Sequence, residues 1–476
     1  MSEILSVGID IGTSTTSMVV SRFEIENTAS CFSVPRVSIV DQEIIYRSDI
    51  YLTPLVDGIQ IDIQKVQEIL QGEYQKAGIT PSMIQTGAVI ITGESARKEN
   101  AELVTQTLSQ LAGDFVVATA GPDLESIIAA KGAGAQQFSE EYNCTVANLD
   151  IGGGTTNIGV FHCGELVAKG CYDIGGRLIK LDPQRRITYI SPRMEVIARD
   201  CKISLKVGDR IQEEDIQILT KRMAQVLVQA MALEPKEALC SAMETAGSSP
   251  LELQAPVKYI SFSGGVADYI YHAGGDLYRY GDIGVFLADA IRGSDLYTKS
   301  QVIPAKETIR ATVVGAGSYT TTLSGSTITY SRPEVFPIKN VPAFVVGQTV
   351  EEDLARGDPR SLEERTAWFL EQNQCENLLF CLTHTQNPSY EQLCHIAQGL
   401  CQATGIYIPA NKPILILTEH DFAKSLGQAM KRILGPGRDL ICIDSVRARP
   451  GDYLDMGNPL MGGMAIPVVV KTLIFG

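Results

Sequence analysis

The sequence predicts an α/β protein in three parts: two lobes built on one duplicated plan, over residues 1–140 and 141–332, and a C-terminal α/β domain over 333–476. Three observations lead there. A strand ending in Asp, followed by Gly, a cluster of hydroxyls and a second strand, occurs at 7–16 and again at 148–157. Each half also carries a helix with a face of small residues, at 129–135 and at 311–318. Beyond the proline-marked stretch 330–342, strands and helices alternate to the end.

The first half reads as strands at 4–11 and 16–23, then a hairpin-like pair around Ile39 and 44–46. A helix is expected over 62–77. Asp62 is its N-cap, Ile63, Val66, Ile69 and Leu70 its apolar face, and Gly78 its stop. A buried strand at 88–92, a helix at 98–112 and a strand at 115–118 follow. The small-residue helix is read over 124–136, with Asp123 or Glu125 at its start. Small faces let two helices cross closely, so it and its partner at 311–318 are the expected hinge.

The second half repeats the plan. A strand from 144 delivers Asp150, and Gly152, Gly153 and Gly154 follow. These allow a tight turn and a close backbone approach to a ligand. Thr155 and Thr156 add hydroxyls. The turn reads as a phosphate cradle, with Asp150 placed to hold a cation through water. The echo is Asp10, Gly12, Thr13, Ser14 and Thr15, lying 140 residues earlier. Two ordinary hairpin tips are the alternative reading. Strand 165–172 leads to Asp173-Ile174-Gly175-Gly176, and a long helix is expected over 212–232. Strand 257–262 runs into Ser263-Gly264-Gly265, where a flat or phosphate-bearing ligand could pass close to the backbone. Asp282 caps a further helix.

The C-terminal part is expected to hold strands at 376–383, 413–418, 439–444 and 466–474 and helices at 389–403 and 420–433. His420-Asp421 and Asp444-Ser445 fall at strand ends and read as caps and turns.

At 476 residues the chain exceeds a single core. The net charge of −15 argues against a nucleic-acid partner. No run approaches a membrane span, so no membrane partner is expected. Glu3 and Asp10 interrupt the first strand and no basic segment precedes it, so no secretory signal is read. Eleven cysteines without a Cys-x-x-Cys pair suit reduced core residues and a cytoplasmic location. Cys394-His395 has no metal-binding partner at useful spacing.

Asp10-Ile11-Gly12-Thr13, the small helix at 129–135, Asp150-Ile151-Gly152-Gly153-Gly154-Thr155, Ser263-Gly264-Gly265-Val266-Ala267 and Gly315-Ala316-Gly317 stand in this order. Over about 1–325 the pattern resembles the actin, heat-shock chaperone and sugar-kinase superfamily, with a ribonuclease H-like core in each lobe. The whole chain is similar to the ethanolamine ammonia-lyase reactivating factor (EutA) family. The residues 91–98, 451–459 and 467–473 contribute to that likeness.

The resemblance implies an ATP- and Mg²⁺-dependent chaperone. Its partner would be the inactivated holoenzyme of ethanolamine ammonia-lyase, from which it releases damaged cobalamin so that adenosylcobalamin can rebind. It implies a cytoplasmic place of work, with association with a bacterial microcompartment left open, and it fixes no oligomeric state. Asp10 and Asp150 would hold hydrated Mg²⁺ across a cleft. Residues 13–15 and 152–155 would wrap the β- and γ-phosphates, and Gly264 and Gly265 would pass under the adenosine. Asp123 falls where heat-shock chaperones place a water-polarising Glu. Glu125 is its neighbour, and a simple helix cap is the alternative for either. The phosphate-contacting lysine of those chaperones has no counterpart here, so slow hydrolysis is expected. A small-molecule kinase and a filament-forming or scaffold ATPase are the rival functions.

Overall fold

A computed structural model describes residues 2–12, 15–28, 37–56, 60–91, 121–319, 321–325, 327–373 and 375–472. Thr13, Ser14, the helix expected at 98–112 and the strand expected at 115–118 lie outside the described residues.

Two sheets repeat one arrangement. The first runs Val37–Arg47, Thr15–Asn27, Ser2–Ile11, Thr86–Ile91, and only its last neighbours are parallel. The second runs Glu165–Tyr172, Thr156–His162, Thr145–Ile151, Tyr259–Ser263, Gln301–Val302, again antiparallel at first and then parallel. Even the register repeats: Asp10 stands opposite Ser17 as Asp150 stands opposite Asn157. Each turn closes with the same bond. Gly12 N–H donates to Thr15 O at 2.8 Å, and Gly152 N–H to Thr155 O at 2.9 Å. The parallel strands Thr86–Ile91 and Tyr259–Ser263 are rich in apolar residues and buried almost throughout, as strands covered on both faces must be.

Helix Ile63–Ala77 forms as expected. The Asp62 carboxylate accepts from Lys65 N, and Gly78 takes the left-handed conformation at φ 69°. Its face Val66, Leu70 and Tyr74 packs on Val7, Ile9 and Val89 of the first sheet. Two expectations are corrected. The hairpin around Ile39 and 44–46 is one strand, Val37–Arg47, paired along its length with Thr15–Asn27. Two register shifts absorb the irregular polar stretch. The helix read over 124–136 is two helices, Pro122–Gly132 and Ala135–Glu141, broken where Gly134 adopts φ 84°.

Helix Pro122–Gly132 crosses helix Ala311–Tyr319 backbone to backbone. A Cβ on Gly315 would lie 2.0 Å from Ile128 O, so glycine is required there.

The third sheet has eight strands, with the parallel run Ile338–Val345, Leu379–Leu382, Ile414–Thr418, Leu440–Asp444 at its centre. It also takes in Thr321–Ser324 and Thr329–Tyr330, upstream of residue 333. Its strand Ile466–Thr472 packs toward the crossing: Val469 shares a core with Ala88, Ile90, Ile128 and Ala316. Asp444 is structural, accepting from Thr327 N at 2.6 Å and Thr327 Oγ1 at 2.5 Å. Among the described residues no helix is long and apolar enough to cross a membrane.

Candidate functional site

The two Asp-Ile-Gly turns open on one cavity of about 1320 Å³. Asp10, Gly12 and Thr15 line it from the first sheet, and Asp150 and residues 152–155 from the second. Gly264 and Gly265 line it as well. These predicted residues, far apart in the chain, are therefore brought together. Thr13 and Ser14 lie outside the described residues.

The second Asp-Ile-Gly turn and the Gly264 turn are each seated by specific contacts. Gly176 N–H donates to Gly152 O at 2.9 Å, and Arg177 N–H to Gly153 O at 2.7 Å. A Cβ on Gly175 would come within 2.5 Å of the Gly153 carbonyl, so the segment 173–177 backs the 152–155 turn only with glycine at 175. Gly264, at φ 86°, lies against Ile151, whose carbonyl oxygen would be 2.4 Å from a Cβ. By contrast a Cβ on Gly154 or Gly265 would meet nothing within 4 Å. Both backbones lie open toward the cavity they line, as a ligand cradle requires.

Asp150 is buried at the end of its strand. Ser263 Oγ donates to its Oδ1 at 2.5 Å. Burial pushes its carboxyl up to about 6, and the hydroxyls of Ser263 and Thr312 pull only part of the way back. A cation in the cavity would favour the ionised form, so this carboxyl could hold one.

The structure does not bring Asp123 into this group. Its carboxylate pairs with Lys169 Nζ at 2.7 Å and accepts from Ser249 N and Ser249 Oγ at 2.8 and 2.5 Å. Burial alone would raise its pKa, but Lys169 and Ser249 outweigh that and hold it below the ordinary carboxylate value. The acidic residue of this helix turn that lines the cavity is Glu125.

Three cavity-lining arginines, Arg177, Arg193 and Arg279, escaped the sequence reading, and two of them are held by buried carboxylates. Arg177 Nε is 3.1 Å from Asp282 Oδ2, and Asp282 Oδ1 also accepts from Gly284 N. Arg193 Nε is 2.6 Å from Asp173 Oδ2, and Asp173 Oδ1 accepts from Thr245 Oγ1 at 2.8 Å. Arg177 directly follows the recognised Gly175-Gly176 pair, a signal that could have been used. Arg193 carries no such signal. It is placed by helix Pro192–Asp200, capped by Ser191. Together these groups fit a nucleoside phosphate with a hard divalent cation: open backbone and guanidinium groups for the phosphates, and two carboxyls for the metal.

The sequence matches the family described as ethanolamine utilisation protein EutA over residues 2–476. It is 36% identical to the ethanolamine ammonia-lyase reactivase EutA of Salmonella typhimurium and 35% identical to that of Escherichia coli, each over 99% of both chains. Among solved structures, the Ppx/GppA family member of Aquifex aeolicus is similar with a TM-score of 0.39 and 14% identity, over 66% of this chain and 97% of the other.

Proposed function

This chain belongs to the EutA family of ethanolamine utilisation proteins, and from that premise we propose that it is an ATP- and Mg²⁺-dependent reactivating chaperone for ethanolamine ammonia-lyase. It would bind the inactivated holoenzyme and release the damaged cobalamin, leaving apoenzyme for adenosylcobalamin. The observation that carries the reading is whole-length likeness to two reactivases in a chain whose two Asp-Ile-Gly turns share one cavity. In this reading the lobes 1–140 and 141–332 close on the nucleotide, and the third domain is tied to them through Val469. The place of work is the cytoplasm, including a microcompartment where the lyase occupies one.

Asp10 and Asp150 would hold the cation, which when bound neutralises phosphate charge. The amides at 153–155, beyond the Gly152 N–H that closes the turn onto Thr155 O, and the guanidinium groups of Arg177 and Arg193 would hold the phosphate oxygens. Gly264 and Gly265 would leave room for the nucleoside, and Glu125 would orient the attacking water. The deciding experiment follows ATP turnover with and without cyanocobalamin-inactivated lyase, together with release of the cyanocobalamin. Turnover that responds to the dead lyase, with recovery of apoenzyme, is expected. A phosphorylated small molecule appearing in step with ADP would make the protein a kinase, and nucleotide-dependent pelleting without reactivation a filament former.

A further inference from the structure

Two adjacent strands carry a row of buried polar side chains behind the cation site. In the parallel pair Thr145–Ile151 and Tyr259–Ser263, Asn148 stands beside Ser261 and Asp150 beside Ser263. Residues two apart on a strand face the same way, so the four side chains lie on one face. All are shielded: Asn148 and Ser263 are 0% exposed, Ser261 1% and Asp150 6%.

Hydrogen bonds pass along this row in one direction. Ser261 Oγ donates to Asn148 Oδ1 at 2.9 Å, and Asn148 Nδ2 donates to Ser263 Oγ at 2.8 Å. Ser263 Oγ then donates to Asp150 Oδ1 at 2.5 Å. The orientation of the Asn148 amide fixes the sense. An amide NH₂ can only donate, so the Ser263 oxygen accepts there and its single proton is left for Asp150. A flipped Asn148 amide would draw the Ser263 proton away and turn a lone pair toward the carboxyl. Burying one amide and two hydroxyls costs free energy unless each is bonded, and an apolar row would hold two strands together without that risk.

We propose that Ser263, backed by Asn148 and Ser261, is the positioning residue that holds the Asp150 carboxyl in the orientation in which it takes the divalent cation of a bound nucleotide. The inference builds on the nucleotide reading above. Ser263 also immediately precedes Gly264, so one hydroxyl joins the turn under the nucleoside to the carboxyl at the metal. The site is thereby set for a nucleotide that arrives with its cation.

The test uses the full-length chain with Ser263→Ala, Ser263→Cys and Ser261→Ala. Three quantities are read: affinity for a fluorescent ADP analogue in EDTA, the same affinity in Mg²⁺, and Mn²⁺ binding to the ADP complex by electron paramagnetic resonance. In Ser263→Ala, Mn²⁺ binding should weaken about tenfold, with affinity in EDTA changed by no more than about twofold. Ser263→Cys, close in size and a poorer donor, should shift the same way by less, and Ser261→Ala less again. If Ser263→Ala does not fold, Ser263→Cys decides by the same criteria. Unchanged Mn²⁺ binding in a folded Ser263 variant overturns the inference. So does an equal loss with and without metal, which would make Ser263 a support of the turn alone. A wild-type chain that binds no nucleotide would overturn the nucleotide reading and this inference with it. A wild type that binds nucleotide and metal normally, with unaltered variants, overturns this inference only.

Discussion

Gly132 faces the carbonyl oxygen of Ala311 so closely that a Cβ on Gly132 would lie 1.9 Å from it. The reciprocal contact of Gly315 with Ile128 is equally tight. At these two glycines the crossing helices therefore touch through their backbones, with the Ile128 side chain alongside. A single methyl at Gly132 must push the helices apart. Gly132→Ala is expected to lower stability in urea by about 1–3 kcal/mol, the usual range for overpacking. Gly132→Leu should cost more still, before any effect on the ATP-dependent change can be read. An alanine variant as stable as wild type would mean that the crossing can slide freely. Small-angle scattering with ADP and a non-hydrolysable ATP analogue then reports whether the lobes still respond.

Asp150 separates stability from function. Its pKa is raised to about 6 from the ordinary 3.8. Between those values the folded chain keeps a proton that the unfolded chain has lost, so stability falls as pH rises through this window, and the penalty persists above it. With divalent cations chelated, Asp150→Asn should match wild type near pH 3.5 and exceed its stability at pH 8 by up to about 3 kcal/mol. The same variant should lose at least about tenfold in Mg²⁺-ATP turnover, or about 1.4 kcal/mol. A variant that hydrolyses ATP normally would remove Asp150 from the site.

Asp123 and Glu125 should part company in the same pair of assays. Asp123→Asn breaks the pair with Lys169 and is expected to cost about 2 kcal/mol of stability, discounted for the partial exposure of the lysine. Because its pKa is depressed, that contribution is present above the ordinary 3.8 and is lost as pH falls through the lowered value. Glu125→Gln should lower turnover at least about tenfold. Lost turnover at full stability in Asp123→Asn would return the water-polarising role to Asp123.

What the sequence disclosed was what local chemistry determines. The Asp-Ile-Gly turns are legible because glycine, hydroxyls and a strand-end carboxylate stand next to one another, and their duplication repeats down to the Gly12–Thr15 and Gly152–Thr155 bonds. The helix between Asp62 and Gly78 is legible for the same reason. Gly134 was hidden because a run of small residues gives no sign of which one will take positive φ. The strand Val37–Arg47 was misread because Asp41 and Gln42 look like a turn, whereas a long partner strand carries them across. The roles of Asp123 and Glu125 depend on which way one helix turn faces. Lys169 and Ser249, distant in the chain, settle where Asp123 goes. Arg193 reaches the cavity only through tertiary packing.

Arg177 supplies the last prediction, because it brings a cation to the cavity wall in a chain whose sequence offers no counterpart of the chaperones' phosphate-contacting lysine. Its backbone N–H is bonded to the Gly153 carbonyl, which ties it to the glycine-rich turn itself. Its Nε is held by Asp282, which limits the positions the rest of the guanidinium can take at the cavity wall. A preorganised guanidinium loses little entropy on meeting a phosphate, and a charge-assisted bond of this kind contributes about 1.5–3 kcal/mol. Arg177→Ala should therefore weaken ATP binding by about tenfold or more, since each tenfold corresponds to about 1.4 kcal/mol. Adenosine, which has no phosphate, should bind wild type and variant alike. Arg177→Lys should recover only part of the loss, because a lysine cannot hold Asp282 and also present a planar fork. Calorimetric titration with ATP and with adenosine separates the outcomes. An equal loss for both ligands would mean that Arg177 acts by supporting the turn, and no loss for either would place the phosphates elsewhere in the cavity.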